Sequence, residues 1–421
     1  MSRILGIEIR RSAAIGSALI LLAVGVALLY LFDEEDWSAG WMQLAMTQRL
    51  YLALLWPLAL AAGAWQGRRE HQSNVIELFA STPRPRAHRT VPTLLAMAVT
   101  LAGGYLLMGV AGGVSLLGAA AYLPLSVLAV TAVGVLSLVA AAWLGLAVGR
   151  LLPWLITAPV LAVAGLGLLL TIPGATRPRG WLALVFSPIY EMNMPDAYAT
   201  VSGPISAAQA IWLAALAVTG MLLFATAGWR SRVAALLPVV LGATLAIAVM
   251  PHRNRMIVDS VDPVAKALVC AKDEPRVCVS RVHEGLLPDV VPQARAALTV
   301  LAKLPGAPTR VSEDNTTYLP YVPAPRTADV ALVPIRTGHI SDLTPEIVVA
   351  AFARSYDCEQ GPAWADSLAA AYWLLGRKPV SDEPDVAADA VSRWEQLRAL
   401  PATQATAQIA AVRKAALECN S

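Results

Sequence analysis

The sequence predicts a polytopic α-helical membrane domain over residues 1–250 followed by a soluble α+β domain over residues 251–421. Three observations predict it. Of 421 residues 57 % are hydrophobic and 14 % charged, whereas a soluble domain carries about 25 % charged residues, so a single soluble globule is excluded. Charge divides at Met250: Asp plus Glu number 9 before it and 20 after, Lys plus Arg 14 and 18, leaving +5 and −2 on the two parts. All four cysteines fall in the second part and all lysines are absent from the first. A net charge of +3 over the whole chain, with the arginines beside apolar runs, makes the lipid bilayer the expected partner and argues against nucleic acid.

Apolar runs place seven spans at 13–32, 50–66, 91–117, 125–149, 151–172, 205–229 and 233–250, each near the roughly 20 residues that cross a bilayer core. The first run follows Arg10 and Arg11 as a secretory signal would, but it is long and lacks a small-residue cleavage pattern, so it is expected to be retained. With the N-terminus inside, the inner loops hold Arg3, Arg10, Arg11, Arg68, Arg69, Arg84, Arg86, Arg89, Arg150, Arg230 and Arg232, against Arg49, Arg177, Arg179, Arg253 and Arg255 outside. That excess fits the positive-inside rule for a bacterial plasma membrane protein with a cytoplasmic N-terminus. The acidic patch Asp33–Asp36 then falls outside.

An odd number of spans sends residues 251–421 across the membrane. Four segregated cysteines suit an oxidising compartment. Of three possible pairings, Cys270–Cys278 closing a short charged loop and Cys358–Cys419 tying down the terminal helix are favoured. Arg253 and Arg255 beyond the last span fit a cytoplasmic end better, and loss of any one span would leave the domain, with free thiols, in the cytoplasm.

None of the predicted spans has Asp, Glu, Lys or Arg in its interior, which disfavours coupling to protons or cations. A P-loop needs Gly-Lys-Ser/Thr so that backbone amides and the amine hold phosphates. The lysines, Lys266, Lys272, Lys303, Lys378 and Lys414, each follow Ala or Arg. The chain is therefore expected to be no enzyme and to hold no cofactor; any ATP hydrolysis belongs to another polypeptide.

Between spans two and three, Gly67-Arg68-Arg69-Glu70 is followed by a short segment that Ser73 or Asn74 can cap and Pro83 ends, with Val75, Ile76, Leu78 and Phe79 as an apolar cluster around Glu77. Glu70, Glu77-Leu78, Thr82-Pro83 and the bases Arg86 to Arg89 match the layout of the first cytoplasmic loop in permease subunits of type-2 ATP-binding-cassette exporters, which the chain resembles over roughly residues 1–230. The loop has Gln72-Ser73-Asn74 where a Gly-Thr pair is commoner. The resemblance implies six exporter-type helices plus a seventh, and a coupling loop at 67–90 in which Arg68, Arg69, Glu70, Val75, Ile76, Glu77, Leu78 and Phe79 dock on ATPase subunits. Those partner subunits would bind ATP and magnesium, and a second copy of this permease, or a related one, would complete the path. It also implies an interfacial helix at Ser2–Ser12 and short re-entrant helices at 173–204, where Trp181, Phe186, Pro188 and Tyr190 would form an extracellular gate.

Residues 256–421 alternate β-branched runs (277–282, 329–335) with helical patterns near 288–304, 345–357, 362–376, 384–399 and 402–418, and the Pro-rich 319–325 reads as an exposed connection. His283-Glu284-Gly285-Leu286-Leu287 begins like a zinc-peptidase motif but has Leu where the second metal-binding His belongs. His339 with the following helical stretch loosely resembles the second half of gluzincin aminopeptidases. Gly109-x-x-x-Gly113 is a candidate helix-packing motif. The alternative readings are a membrane-anchored extracytoplasmic sensor or binding module, and a membrane peptidase.

Overall fold

The computed structural model describes residues 6, 9, 13–32, 37–69, 87–189, 196–226, 228–252, 260–318, 321–336, 342–354 and 361–418, with 87–89 and 260 as backbone alone. The chain is mostly helical and divides into two compact units, Met1–Leu117 with Leu123–Asp262, and Gly118–Tyr122 with Pro263–Ser421.

The first unit holds α1 (Ala14–Phe32), α2 (Trp41–Leu50), α3 (Leu52–Gly67), α4 (Ala87–Leu116), α5 (Ser126–Leu151), α6 (Thr157–Ala175), the short α7 (Gly180–Phe186), α8 (Gly203–Ala225), α9 (Trp229–Ala234) and α10 (Leu237–Val249). Among the described residues six stretches are long and apolar enough to cross a membrane: α1, 90–116 of α4, α5, α6, α8, and 229–249 comprising α9 and α10. α2 and α3 pass that test only together, bent by 51°. Pro57 inside α3 has no amide for the Ala53 carbonyl. Before Pro57, at Tyr51, the chain bends, and the Tyr51 carbonyl accepts from Leu54 and Leu55, both at 3.0 Å. The second apolar run thus begins its helix at Trp41, nine residues before the expected span, and draws Gln48 and Arg49 into the bundle.

Glycines set the tightest helix pair. A Cβ on Gly63 or Gly67 of α3 would lie 2.1 or 2.3 Å from the carbonyl oxygens of Ala142 and Leu146 in α5, and one on Gly145 or Gly149 would lie 2.1 Å from those of Leu60 and Ala64. Two Gly-x-x-x-Gly stripes therefore interlock backbone on backbone, the arrangement that lets helices associate where lipid removes the hydrophobic drive. The motif singled out in the sequence is used differently: Gly109 makes room for the Gln48 side chain and Gly113 for Trp41.

β1 (Ala199–Thr200), just before α8, pairs antiparallel with β2 (Ser260–Val261), beyond α10. The start of α8 and the exit of α10 therefore meet at one end of the bundle, as they must if α8 and 229–249 run up and back.

The second unit begins with a single helical turn, α11 (Pro263–Lys266), and then builds a four-stranded sheet in the order β3 (Leu268–Cys270), β4 (Val277–Ser280), β5 (Arg310–Glu313) and β8 (Val330–Val333). β3 and β4 are antiparallel, with Cys270 opposite Cys278 and the two joined by the expected disulfide. β4, β5 and β8 are parallel, which demands a crossover; a 3-10 turn (Arg281–Leu286) and α12 (Leu287–Leu301) supply the first. Val290, Ala294, Ala297, Leu298 and Leu301 form one helical face of α12 and pack with Val277, Val279, Val311 and Val333 of the sheet. Thr317–Tyr318 (β6) pairs antiparallel with Tyr321–Val322 (β7), which falls within the stretch read as a Pro-rich connection.

α13 (Leu343–Ala350), α14 (Trp364–Leu375), α15 (Pro384–Ala399) and α16 (Ala402–Glu418) complete the unit. α14 stops at Gly376, whose φ of 68° suits glycine and lets the Arg377 amide reach back to the Tyr372 carbonyl at 3.2 Å. The loop Gly118–Tyr122 also belongs here: Ala119 packs on the same core, and Gly285 lies so close that a Cβ would sit 2.1 Å from the Gly118 oxygen and 2.6 Å from that of Ala119.

Candidate functional site

The arginine the sequence assigned to an outside segment is the most buried charged group of the first unit among the described residues. Arg49 lies in the last turn of α2 with 0 % exposure. A helix C-terminus favours a cation, but a guanidinium away from water still needs hydrogen-bond acceptors. Its Nη2 donates to the Pro188 carbonyl at 3.2 Å and to Gln209 Oε1 of α8 at 3.1 Å.

Those bonds converge on α7. A seven-residue helix leaves its last carbonyls without intrahelical partners. Here Gln209 Nε2 donates to the Leu184 carbonyl at 2.9 Å, Trp212 Nε1 to that of Phe186 at 3.3 Å, and Arg49 to that of Pro188. Phe186 also meets the Trp212 ring edge-on at 5.0 Å, and Trp181 meets His252 at 4.6 Å. Leu184, Val185, Val201, Ile205 and Ala208 form the apolar cluster beneath. Of the expected gate residues, Trp181, Phe186 and Pro188 are thus brought together on α7 and its exit, while Tyr190 lies outside the described residues.

Next to this latch is a row of buried polar atoms. Gln48 abuts Gly109 of α4, and Tyr105, one turn before Gly109, directs its hydroxyl at Gly134 of α5. Gln48 Nε2, the Tyr105 hydroxyl and the Ser137 hydroxyl are buried without a hydrogen-bond partner among the described residues. The expected second span, 50–66, left Arg49 just outside it; counted together with α2, the bent pair holds this one charged group.

At the opposite end of α3, Arg68 is buried with its guanidinium 3.8 Å over the Trp65 ring, and Arg69 is exposed. Glu70, Val75, Ile76, Glu77, Leu78 and Phe79 of the expected coupling loop lie outside the described residues, as do His339, Cys358 and Cys419.

In the second unit His283 is buried in the 3-10 turn, so the stretch resembling a peptidase motif is not an α-helix presenting two ligands. Its Nδ1 lies 2.7 Å from Glu313 Oε1, while Glu313 Oε2 accepts the Ser280 amide at 2.7 Å. This buried pair ties β5 to the end of β4. No family model, curated protein or solved structure matches the chain.

Proposed function

We propose that this chain is the membrane-spanning permease subunit of an ATP-driven exporter, which forms the substrate path and is powered by separate ATPase subunits. The observation that carries the reading is the order of residues after the second apolar run: acid Glu70, the apolar turn around Glu77-Leu78, Thr82-Pro83, then the bases up to Arg89. The absence of Gly-Lys-Ser/Thr anywhere in the sequence supports a partner ATPase, which would bind ATP and magnesium.

With the bent pair counted as one crossing, seven crossings leave the two ends on opposite sides, and the arginine excess of the inner loops favours a cytoplasmic N-terminus and an outside position for the residues after Val249 in a bacterial plasma membrane. The disulfide Cys270–Cys278 agrees with an oxidising side. Two permease subunits would frame the path, and ATP-driven closure of their partners would shift the bundle between inward-facing and outward-facing states.

Co-purification from membranes is expected to recover an ATPase with the chain, and Glu77→Arg combined with Leu78→Asp is expected to abolish the association. An undiminished complex would refute the docking assignment.

A further inference from the structure

We propose that Arg49 is the positioning residue of the outer gate: with Gln209 and Trp212 it latches α7 to the bent second span and to α8, and the gate opens by releasing this latch. The gate role rests on the transport reading above; the latch itself rests on geometry. Three acceptors at the end of α7, the carbonyls of Leu184, Phe186 and Pro188, are each held by a side chain from a spanning segment. A helix this short has little stability of its own, so its place depends on those donors together with the packing of Leu184 and Val185. Arg49 joins all three elements, because one nitrogen serves both the Pro188 carbonyl and Gln209. It sits next to the 51° bend between α2 and α3, where a small change in bend angle swings α2 relative to α3. A change of that bend carries Arg49 away from Pro188, so the state of the bundle is read out directly at α7.

The test uses the full chain in lipid nanodiscs, without ATPase or substrate. Ser187→Cys, buried just after α7, reports on the latch, and Ala141→Cys, buried in α5, reports on general loosening. Peptide mass spectrometry reads the rate of modification by an impermeant maleimide at each introduced thiol, so the native cysteines do not interfere.

Trp212→Phe, Gln209→Met and Arg49→Gln, each combined with Ser187→Cys, are expected to raise labelling of the latch thiol in that order. Arg49→Gln should give about tenfold or more, since it removes a charged hydrogen bond. Arg49→Lys should fall between wild type and Arg49→Gln. Labelling of the reference thiol in α5 should stay unchanged. Unchanged labelling of the latch thiol in all three variants, or an equal rise at the reference thiol, would overturn the latch. If Arg49→Gln does not fold, the other two variants decide in the same way. A missing ATPase partner would sink the exporter reading and leave this result standing; flat labelling with an ATPase bound would do the reverse.

Discussion

Substituting Gly145 by alanine adds one methyl group at the closest point between α3 and α5. The new Cβ would lie 2.1 Å from the Leu60 carbonyl oxygen, where ordinary contact begins at 3.4 Å, so the helices must part by roughly 1.3 Å in a packed interior. The obstacle is backbone, which cannot rotate away as a side chain would. Overpacking of this kind costs about 1–3 kcal/mol, and parting the helices also weakens any Cα–H···O contacts across the seam, worth about 0.5–1 kcal/mol each.

Gly103→Ala is the control. Nothing lies within 4 Å of a Cβ there, and alanine gains up to about 1 kcal/mol in helix propensity, so this variant is expected to match or exceed wild type. The assay is thermal unfolding in detergent or nanodiscs, with Gly145→Ala unfolding several degrees lower. The double variant Gly63→Ala/Gly145→Ala gives a sharper criterion. Both clashes lie on the same seam, and the displacement that relieves one relieves most of the other, so the double should lose clearly less than the sum of the singles. Strictly additive losses, or a Gly145→Ala protein as stable as Gly103→Ala, would refute the interlocked seam.

Reducing Cys270–Cys278, which closes a separation of eight residues, should destabilise the second unit by about 2.5 kcal/mol on loop entropy, measurable as a lower denaturant midpoint with reductant. Glu313→Leu should cost about 3 kcal/mol or more by stranding His283 and the Ser280 amide, read by unfolding of the second unit; a change below about 1 kcal/mol would make the pair irrelevant. Burial pushes the Glu346 carboxyl above its ordinary value of 4.5, outweighing the nearby Arg336 charge. A raised acid binds more protons folded than unfolded, so it lowers stability as pH climbs from 4.5 upward. Glu346→Gln should therefore stabilise the unit at neutral pH and lose that advantage below the ordinary value, which a pH series of melts would show.

The sequence made the long spans legible because each is an unbroken apolar run, and lipid exposure demands nothing subtler. It hid α2, since Gln43, Thr47, Gln48 and Arg49 depress hydropathy over a stretch that is nonetheless largely buried. The acceptors of Arg49 Nη2, Pro188 and Gln209, lie 139 and 160 residues away, and no local pattern announces such partners. Glycine spacing was equally silent. Gly63–Gly67, Gly109–Gly113 and Gly145–Gly149 share one period, yet two stripes meet backbone and the third meets side chains; the neighbour decides, and it is not written nearby. A usable signal existed in α3 and α5, where Ala64 and Ala142 extend the small face. The aromatics of α7 were legible as a cluster, whereas the donors holding the carbonyls beside them were not. His283 invited a metal reading because its pattern is local, while Glu313, its partner, lies 30 residues on.

The loop Gly118–Tyr122 has a consequence for cutting the protein apart. The chain passes between the two units at 117–118, at 122–123 and again at 262–263, so the second unit is not a pendant on one string. A fragment starting at Pro263 would lack Ala119 from its core and leave an open slot in front of Gly285. A membrane fragment ending at Asp262 would carry five residues whose packing partner has been removed. Neither half is a cassette that can be expressed, exchanged or grafted cleanly at Met250, the boundary that composition marks. A separable version of the second unit would need the loop supplied in trans, or Gly285 refilled with a side chain to close the gap.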